Sequence, residues 1–409
     1  MKICYVVPWF PSLNASTTEA RQGIFSYIEA RQGIFGYREV MKLSDRGHEF
    51  KIISLKWKDQ GKYEVMSDSV EVYRVPYIFK FPQIRYPVPN LFALTRKIKN
   101  VCDHWNPNLL IYSHINYLTV LPIFYLKRRL KIPSVVTTDS FLGISWFYGD
   151  KVVDAISYLY SMLISKRIFR SADGIRLMSS QLIEYARKLD IEEHKAFTIP
   201  RGVDTDLFRL RDGDKRLKSD LGIKENDTVL LYVGRLDLAK GVDYLLQAAK
   251  GVLTNHDNAD SIKFLIVGVG NLWKRYERLA SPFSENIIFL GFRNDVPKLM
   301  NIAHIFVLSS LSEGAANVVL EASASGLPVV ATAVGEVPQI VSDGETGLLV
   351  KPKDVDGLAK RIETIIHNPL LAKKMGEAGR KRIEQKYSSE IICEKLEKAY
   401  QEVIDRSKQ

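Results

Sequence analysis

Short apolar runs, each long enough for one strand, alternate along the chain with stretches in which apolar residues recur every three or four positions. That alternation predicts parallel sheet joined by crossover helices. In the first half the runs are Cys4–Val7, Phe50–Leu55, Leu109–Tyr112, Ser134–Thr137 and Gly174–Met178. A second series starts at Thr228–Val233 and continues through Phe264–Val267, Ile287–Leu290, Ile305–Leu308, Val329–Thr332 and Leu348–Val350. Two series predict two doubly wound α/β domains with a joint near Pro200 to Phe208, and sheets of this kind bind ligands at the C-terminal edges of their strands. The longest apolar tract, Leu109–Leu126, contains His114, Asn116 and Pro122 and divides into a buried strand and a helix, not a membrane span. Met1–Val7, ended by Pro8, is too brief for a signal-peptide core and reads as the first strand.

Two stretches of the second series carry chemistry. Ser312–Thr332 sets Glu313 and Glu321 around the start of a predicted helix, with Asn317 as its N-cap, Val318, Val319, Leu320 and Ala322 as its apolar face, and Gly326-Leu327-Pro328 as its stop. Glu313 then lies in the preceding loop and Glu321 about one turn inside. Both can face a ligand seated on the helix N-terminus, where free N–H groups and the dipole favour an anion such as a diphosphate. A helix-dipole role for Glu313 and a solvated face for Glu321 would account for the same residues. The second stretch, TVLLYVGRLDLAKGVDYLLQA, places Gly234, Arg235 and Lys240 at a strand-to-helix turn. A guanidinium fork and an ammonium point charge suit a diphosphate whose negative charge grows as a glycosidic bond breaks, although solvated charges on a surface turn would look alike.

Together these stretches resemble the retaining nucleotide-sugar glycosyltransferases of family 4. The same order of segments continues in IPRGVDTDLF at 199–208, FLIVGVGNLWKRYERLA at 264–280, FLGFRNDVPKLMNIAHIFVLSS at 289–310 and GEVPQIVSDGETGLLVKP at 335–352. The resemblance is dense in the C-terminal half; in the N-terminal half it rests on the opening strand and the GHEFKIISL, NLLIYSHIN and IPSVVTTDS segments. It implies an α/β fold of GT-B architecture, two Rossmann-like domains facing a cleft. Residues 1–200, completed by a C-terminal helix at 386–409, would form the acceptor side and 201–385 the nucleotide-sugar side. It further implies transfer of a hexose or hexosamine, with retention, from a nucleoside diphosphate sugar to a hydroxyl of a glycan or lipid-linked acceptor.

By the same resemblance, Arg235 and Lys240 stabilise the departing diphosphate, Glu321 holds the ribose hydroxyls, and Glu313 holds the transferred sugar. The amides of Gly314, Ala315, Ala316 and Asn317 orient that sugar, and Val318 also belongs to the donor site. Gly234, Gly268 and Phe292 belong to the donor side, and Gly33 or Gly23 offers an amide to the donor phosphate. No second carboxylate is placed as a covalent nucleophile, unlike the paired carboxylates of retaining glycosidases. No cofactor beyond the sugar nucleotide and no divalent metal is expected, since Arg, Lys and the helix dipole supply the electrostatics. A nucleotide-sugar epimerase of the same fold and a non-catalytic nucleotide-sugar or glycan-binding subunit remain open.

Several positions depart from the family pattern. His114 stands at the strand-end histidine of its His-X-His segment, with Tyr112 in place of the partner. Asp139 stands where relatives carry a histidine and could act as a base or orient an acceptor hydroxyl. In the donor half Gln339, Glu336, His304 and the Ala315-Ala316 pair replace more usual residues. A tandem repeat, Glu19–Phe25 and Glu29–Phe35, is also unusual: its copies are ten residues apart, which is not a whole number of helical turns. The second copy leads into the next strand and is the better candidate for helix, leaving Asn14 to Ala30 as an enlarged loop over the cleft, in which the first copy serves the site or is neutral padding.

Composition narrows the class. At 409 residues with 46% hydrophobic and 26% charged, the chain has room for two substantial cores and is not of disordered type. Cys4, Cys102 and Cys393 show no paired spacing, against a disulfide framework or zinc site and for a reducing, cytoplasmic setting. The net charge of +11 favours anionic partners. Segments 92–100, 124–132 and 160–173 mix apolar residues with clustered Lys and Arg, which fits either peripheral contact with an anionic membrane or ordinary amphipathic helices with snorkelling charges. No recognised nucleic-acid module is present.

Overall fold

The computed structural model describes residues 1–11, 28–56, 60–80, 87–144, 151–256 and 258–408, with backbone alone at 28–35 and 80. The first copy of the repeat, Gly23, and most of the expected 14–30 loop lie outside the described residues. The second copy is helical, within Ile28–Asp45. That helix takes Ile28–Ala30 out of the loop expected there.

The chain divides into two compact units, one containing the opening strand, Ile28–Arg201 and Ile392–Gln409, the other Gly202–Ile391. In the first unit the strands are β1 (Lys2–Val6), β2 (Glu49–Leu55), β3 (Tyr63–Ser67), β4 (Val70–Val75), β5 (Tyr77–Lys80), β6 (Pro87–Pro89), β7 (Leu109–Tyr112), β8 (Ser134–Thr138), β9 (Gly174–Leu177) and β10 (Ala196–Thr198). Eight form one sheet in the order β10-β9-β8-β7-β1-β2-β4-β3, and β5 and β6 make a separate ribbon. Every pair in the large sheet is parallel except β3 with β4.

Successive strand residues face opposite ways, so an all-apolar strand feeds two cores. Cys4 and Val6 of β1 join Leu110, Tyr112 and Val136 on one face. Ile3 and Tyr5 join Leu109, Ile111 and Val135 on the other. The last helix, Ser389–Arg406, completes the second of these cores through Ile392, Leu396, Tyr400 and Val403, an i, i+4, i+8, i+11 stripe.

The second unit holds β11 (Thr228–Val233), β12 (Ile262–Val267), β13 (Ile287–Gly291), β14 (Ile305–Leu308), β15 (Val329–Thr332) and β16 (Gly347–Val350). They form one parallel sheet in the order β13-β12-β11-β14-β15-β16. The chain direction across the sheet reverses between β11 and β14, and in doubly wound sheets a crevice opens beyond the strand ends at that switch. The turns leaving these two strands are those that carry Arg235, Lys240 and Glu313.

Candidate active site

β11 is buried almost throughout and ends at Val233, with Gly234 following it. The next residue, Arg235, pairs with Asp237 (2.6 Å), while its Nε is buried without a hydrogen-bond partner. Asp237 also accepts from the Lys240 amide and caps the single 3-10 turn Leu238–Lys240. That turn docks on the loop leaving β14, because the Leu311 amide donates to the Ala239 carbonyl (2.8 Å) and the Ser309 hydroxyl to the Lys240 carbonyl (3.2 Å). Lys240 is thereby aimed at Glu313. Its Nζ donates to both carboxylate oxygens, at 2.7 and 2.8 Å, and the Ser310 hydroxyl donates to Oε1 at 2.6 Å. Both side chains are largely buried, so this ion pair is shielded from the solvent that weakens surface pairs.

Two glycines make these turns possible. Gly268, after β12, has φ +135°, and a Cβ there would overlap the Gly234 carbonyl oxygen. Gly335, after β15, has φ +52°, and a Cβ would overlap the Glu313 carbonyl oxygen. Backbones touch at both points, so the turn carrying Arg235 and the loop carrying Glu313 are each braced by a neighbouring strand end. Phe292 follows the end of β13 and is half-buried.

The helix after Glu313 spans Asn317–Ala324. Its cap is Ala316, not the expected Asn317. The chain tightens one residue early, with the Asn317 amide donating to the Ala315 carbonyl (2.9 Å), so the Asn317 side chain is carried into the first turn. Its Oδ1 is buried without a partner. The amides of Gly314, Ala315, Ala316 and Val318 make no hydrogen bond among the described residues, leaving a row of donors at the positive end of the helix. Glu321 sits one turn inside and is buried.

In the first unit the expected His114 and Asp139 come together, and a third residue joins them. His114 follows β7 in a left-handed conformation (φ +58°), its amide donating to Thr137 Oγ1 (3.1 Å). Arg201 places its NH2 group 3.0 Å from His114 Nε2 and 3.6 Å from Asp139 Oδ2. His114 Nδ1 is 3.7 Å from Asp139 Oδ1. A guanidinium only donates, so Nε2 must accept and the ring proton resides on Nδ1, facing the carboxylate.

Arg201 was not singled out from sequence, where it reads as part of the joint between domains. Tyr112, in place of the second histidine, is buried in the core among Cys4 and Cys102 and does not join this cluster. Gly33 does not offer a free amide: it is the sixth residue of its helix, and only the first four N–H groups of a helix lack an internal partner.

Burial lowers the His114 pKa to about 4, with the Arg201 charge adding to that effect and Asp139 opposing it. Burial alone would raise the Asp139 carboxyl, but His114, Arg201 and the Ser140 hydroxyl outweigh it and hold it below its ordinary range. Of these only Arg201 is a permanent cation. The unfolded chain takes up the His114 proton near pH 6.5 and the folded chain not until about 4, so stability falls as pH drops through that window. The contribution amounts to about 2 kcal/mol between pH 7 and pH 5. Urea unfolding at the two pH values should show this loss in the wild type and a shallower one in His114→Gln; equal losses would contradict a buried neutral His114.

The chain is similar to known proteins over most of its length. Residues 214–382 match the family described as glycosyl transferases group 1, and residues 37–207 match glycosyltransferase family 4. Among curated relatives, the N-acetyl-alpha-D-glucosaminyl L-malate synthase of Bacillus anthracis is 26% identical over 89% of this chain and 91% of its own length. The UDP-Gal:alpha-D-GlcNAc-diphosphoundecaprenol alpha-1,3-galactosyltransferase of Escherichia coli is 29% identical over 78% of this chain and 81% of its own. Among solved structures, a sucrose-phosphate synthase from Thermosynechococcus elongatus superposes over 99% of both chains with a TM-score of 0.79 at 21% identity.

Proposed function

The chain belongs to glycosyltransferase family 4 and is a GT-B transferase of glycan biosynthesis, and from that premise we propose that it moves a hexose or hexosamine from a nucleoside diphosphate sugar to a hydroxyl of a glycan or lipid-linked acceptor, with retention at the anomeric carbon. The observation that carries this reading is the Lys240–Glu313 ion pair set beside a row of open amides at the switch point of the second sheet. A diphosphate would give the unpartnered Nε of Arg235 an acceptor and share Lys240 with Glu313. The amides of Gly314, Ala315, Ala316 and Val318 would hold sugar hydroxyls, and Glu321 the ribose.

In the proposed step the bond between the anomeric carbon and the β-phosphate oxygen breaks, its electron pair passing to the phosphate beside Arg235 and Lys240. The acceptor oxygen bonds to the same face of the sugar, and its proton goes to the departing phosphate. Glu313 suits a role opposite the positive sugar ring better than that of nucleophile, because Lys240 and Ser310 already engage its oxygens. With two cations and the helix terminus supplying positive potential, the step requires no divalent metal in this reading. His114 and Asp139 would receive the acceptor hydroxyl. Three buried free thiols fit a reducing, cytoplasmic setting.

Thermal unfolding against UDP, GDP, ADP and CDP tests the donor site. One of them, at a hundred times its dissociation constant, should add about 2.7 kcal/mol to native stability. The matching α-configured donor should then give an α-linked product, and donor incubated alone should stay unchanged, where an epimerase would interconvert it. A folded protein indifferent to all four would overturn the reading.

A further inference from the structure

One helical run of the first unit carries an apolar stripe on its outer face. Lys151–Tyr160, the π-helical segment Ser161–Ser165 and Lys166–Ser171 follow one another without a break. Between 151 and 165 the buried positions are serines, Ser157, Ser161 and Ser165, with Met162 and Ile164 half-buried beside them and the core residues Ile168 and Phe169 following. The residues facing water are aliphatic, with Val152 68%, Ile156 63%, Leu159 55% and Leu163 58% exposed. Their i, i+4, i+7, i+11 spacing makes one continuous stripe, and Val153 and Tyr158 widen it. A helix serving only to cover a core would carry the opposite arrangement, and exposed apolar stripes of this size mark interaction surfaces.

The charges around the stripe say what it meets. Lys151, Arg167 and Arg170 are exposed along the run, and Asp154 is its one acid. The Ile123–Leu130 helix, which packs on Lys166–Ser171, adds exposed Arg128 and Arg129 together with exposed Phe124 and Tyr125. A predominantly basic rim disfavours a second copy of the same face, where like charges would be opposed, and complements an anionic lipid surface. The run is also fixed to the loops carrying His114 and Asp139. Tyr160 donates its hydroxyl proton to the Ile115 carbonyl (2.8 Å), next to His114, and Ser161 to the Leu142 carbonyl (2.7 Å), three residues beyond Asp139.

We propose that the Val152–Leu163 stripe lies in the interface of an anionic lipid bilayer, and that the hydroxyl compound presented to His114 and Asp139 is anchored in that bilayer. The second half rests on the transfer reading above; the first does not. No described helix is long and apolar enough to cross a membrane, so the contact is a peripheral one.

Sedimentation of the full chain with vesicles, in the absence of any sugar nucleotide, tests the first half. The wild type should bind phosphatidylcholine vesicles containing phosphatidylglycerol, bind pure phosphatidylcholine far less, and release in high salt. The double variant Ile156→Glu/Leu159→Glu should bind at least about tenfold more weakly, since two apolar side chains no longer enter the interface. Its melting temperature should stay at the wild-type value, because both positions are exposed. No binding to the anionic vesicles, undiminished binding by the variant, or a wild-type dimer that the variant dissociates would each overturn the proposal. For the second half, the variant should lose transfer to a vesicle-embedded acceptor while keeping transfer to a soluble short-chain one; equal transfer to both would overturn it. Vesicle binding without transfer to any acceptor would count against the transfer reading alone.

Discussion

Glu313→Ala is expected to lower transfer by at least about two orders of magnitude, and Lys240→Ala to do the same, because each removes a charge partner of the transition state. The structure adds a complication that the expected result must be separated from. The two side chains hold each other in a largely buried pair, so removing either leaves the other's charge without its main partner. For a fully buried pair that costs about 3–5 kcal/mol of stability. Glu313→Gln separates the two effects. It keeps the side-chain shape and an acceptor for the Ser310 hydroxyl, while removing the negative charge that would face the sugar.

If that charge matters, Glu313→Gln stays folded at the assay temperature and still loses most of its turnover. Residues acting as a unit are not additive, so the Lys240→Ala/Glu313→Ala double variant should be little worse than either single one. Turnover of folded Glu313→Ala or Lys240→Ala close to the wild type would refute the assignment.

A large effect on stability is also expected at Glu39. Arg176, in the middle of β9, is buried, and its NH1 donates to both oxygens of Glu39 at 2.8 and 2.9 Å. Its Nε donates to the Ile199 carbonyl and its NH2 to the Pro200 carbonyl, each at 2.9 Å. A guanidinium cannot shed its proton to escape burial. Glu39→Ala therefore leaves a full charge inside the first unit, at a cost of roughly 3 kcal/mol, the low end for such a pair because Glu39 is itself partly exposed.

Arg176→Met should cost less, since it removes the charge and fills the space, though it orphans two carbonyls. Urea unfolding of the first unit measures both. A loss below about 1 kcal/mol for Glu39→Ala would show that the pair does not have the energetic role its burial implies. The effect should also be felt in the cluster around His114, because Arg176 holds the two carbonyls that lead into Arg201.

The pattern of apolar runs located Leu109–Tyr112, Thr228–Val233, Ile305–Leu308 and Val329–Thr332 to the residue, because a strand covered on both faces has no polar position to blur its ends. Tyr63–Ser67 and Val70–Val75 were not read. They lie at the rim of their sheet, where one face meets solvent and the run is broken by charge. The three-residue β10 is too short for any periodicity. In the site, residue types were readable and their pairing was not. Lys240 and Glu313 could be named from their turns, but their contact depends on how a single 3-10 turn docks across two strand ends. The partnership of His114 with Arg201 joins positions 87 residues apart, which no local pattern records. The displaced cap at Ala316 hinges on one tight turn of backbone, a distinction finer than side-chain preference can resolve.

The helix that closes the core of the first unit is made after all of Gly202–Ile391 has been made. At ordinary rates of translation that delay is on the order of tens of seconds. Throughout it the nascent chain presents a groove meant for Ile392, Leu396, Tyr400 and Val403 with nothing in it. The second unit has its whole sequence in one stretch and can fold as soon as it emerges. Birth order and folding order are thus reversed in this protein, and the half synthesised first is the half that most needs a chaperone's protection.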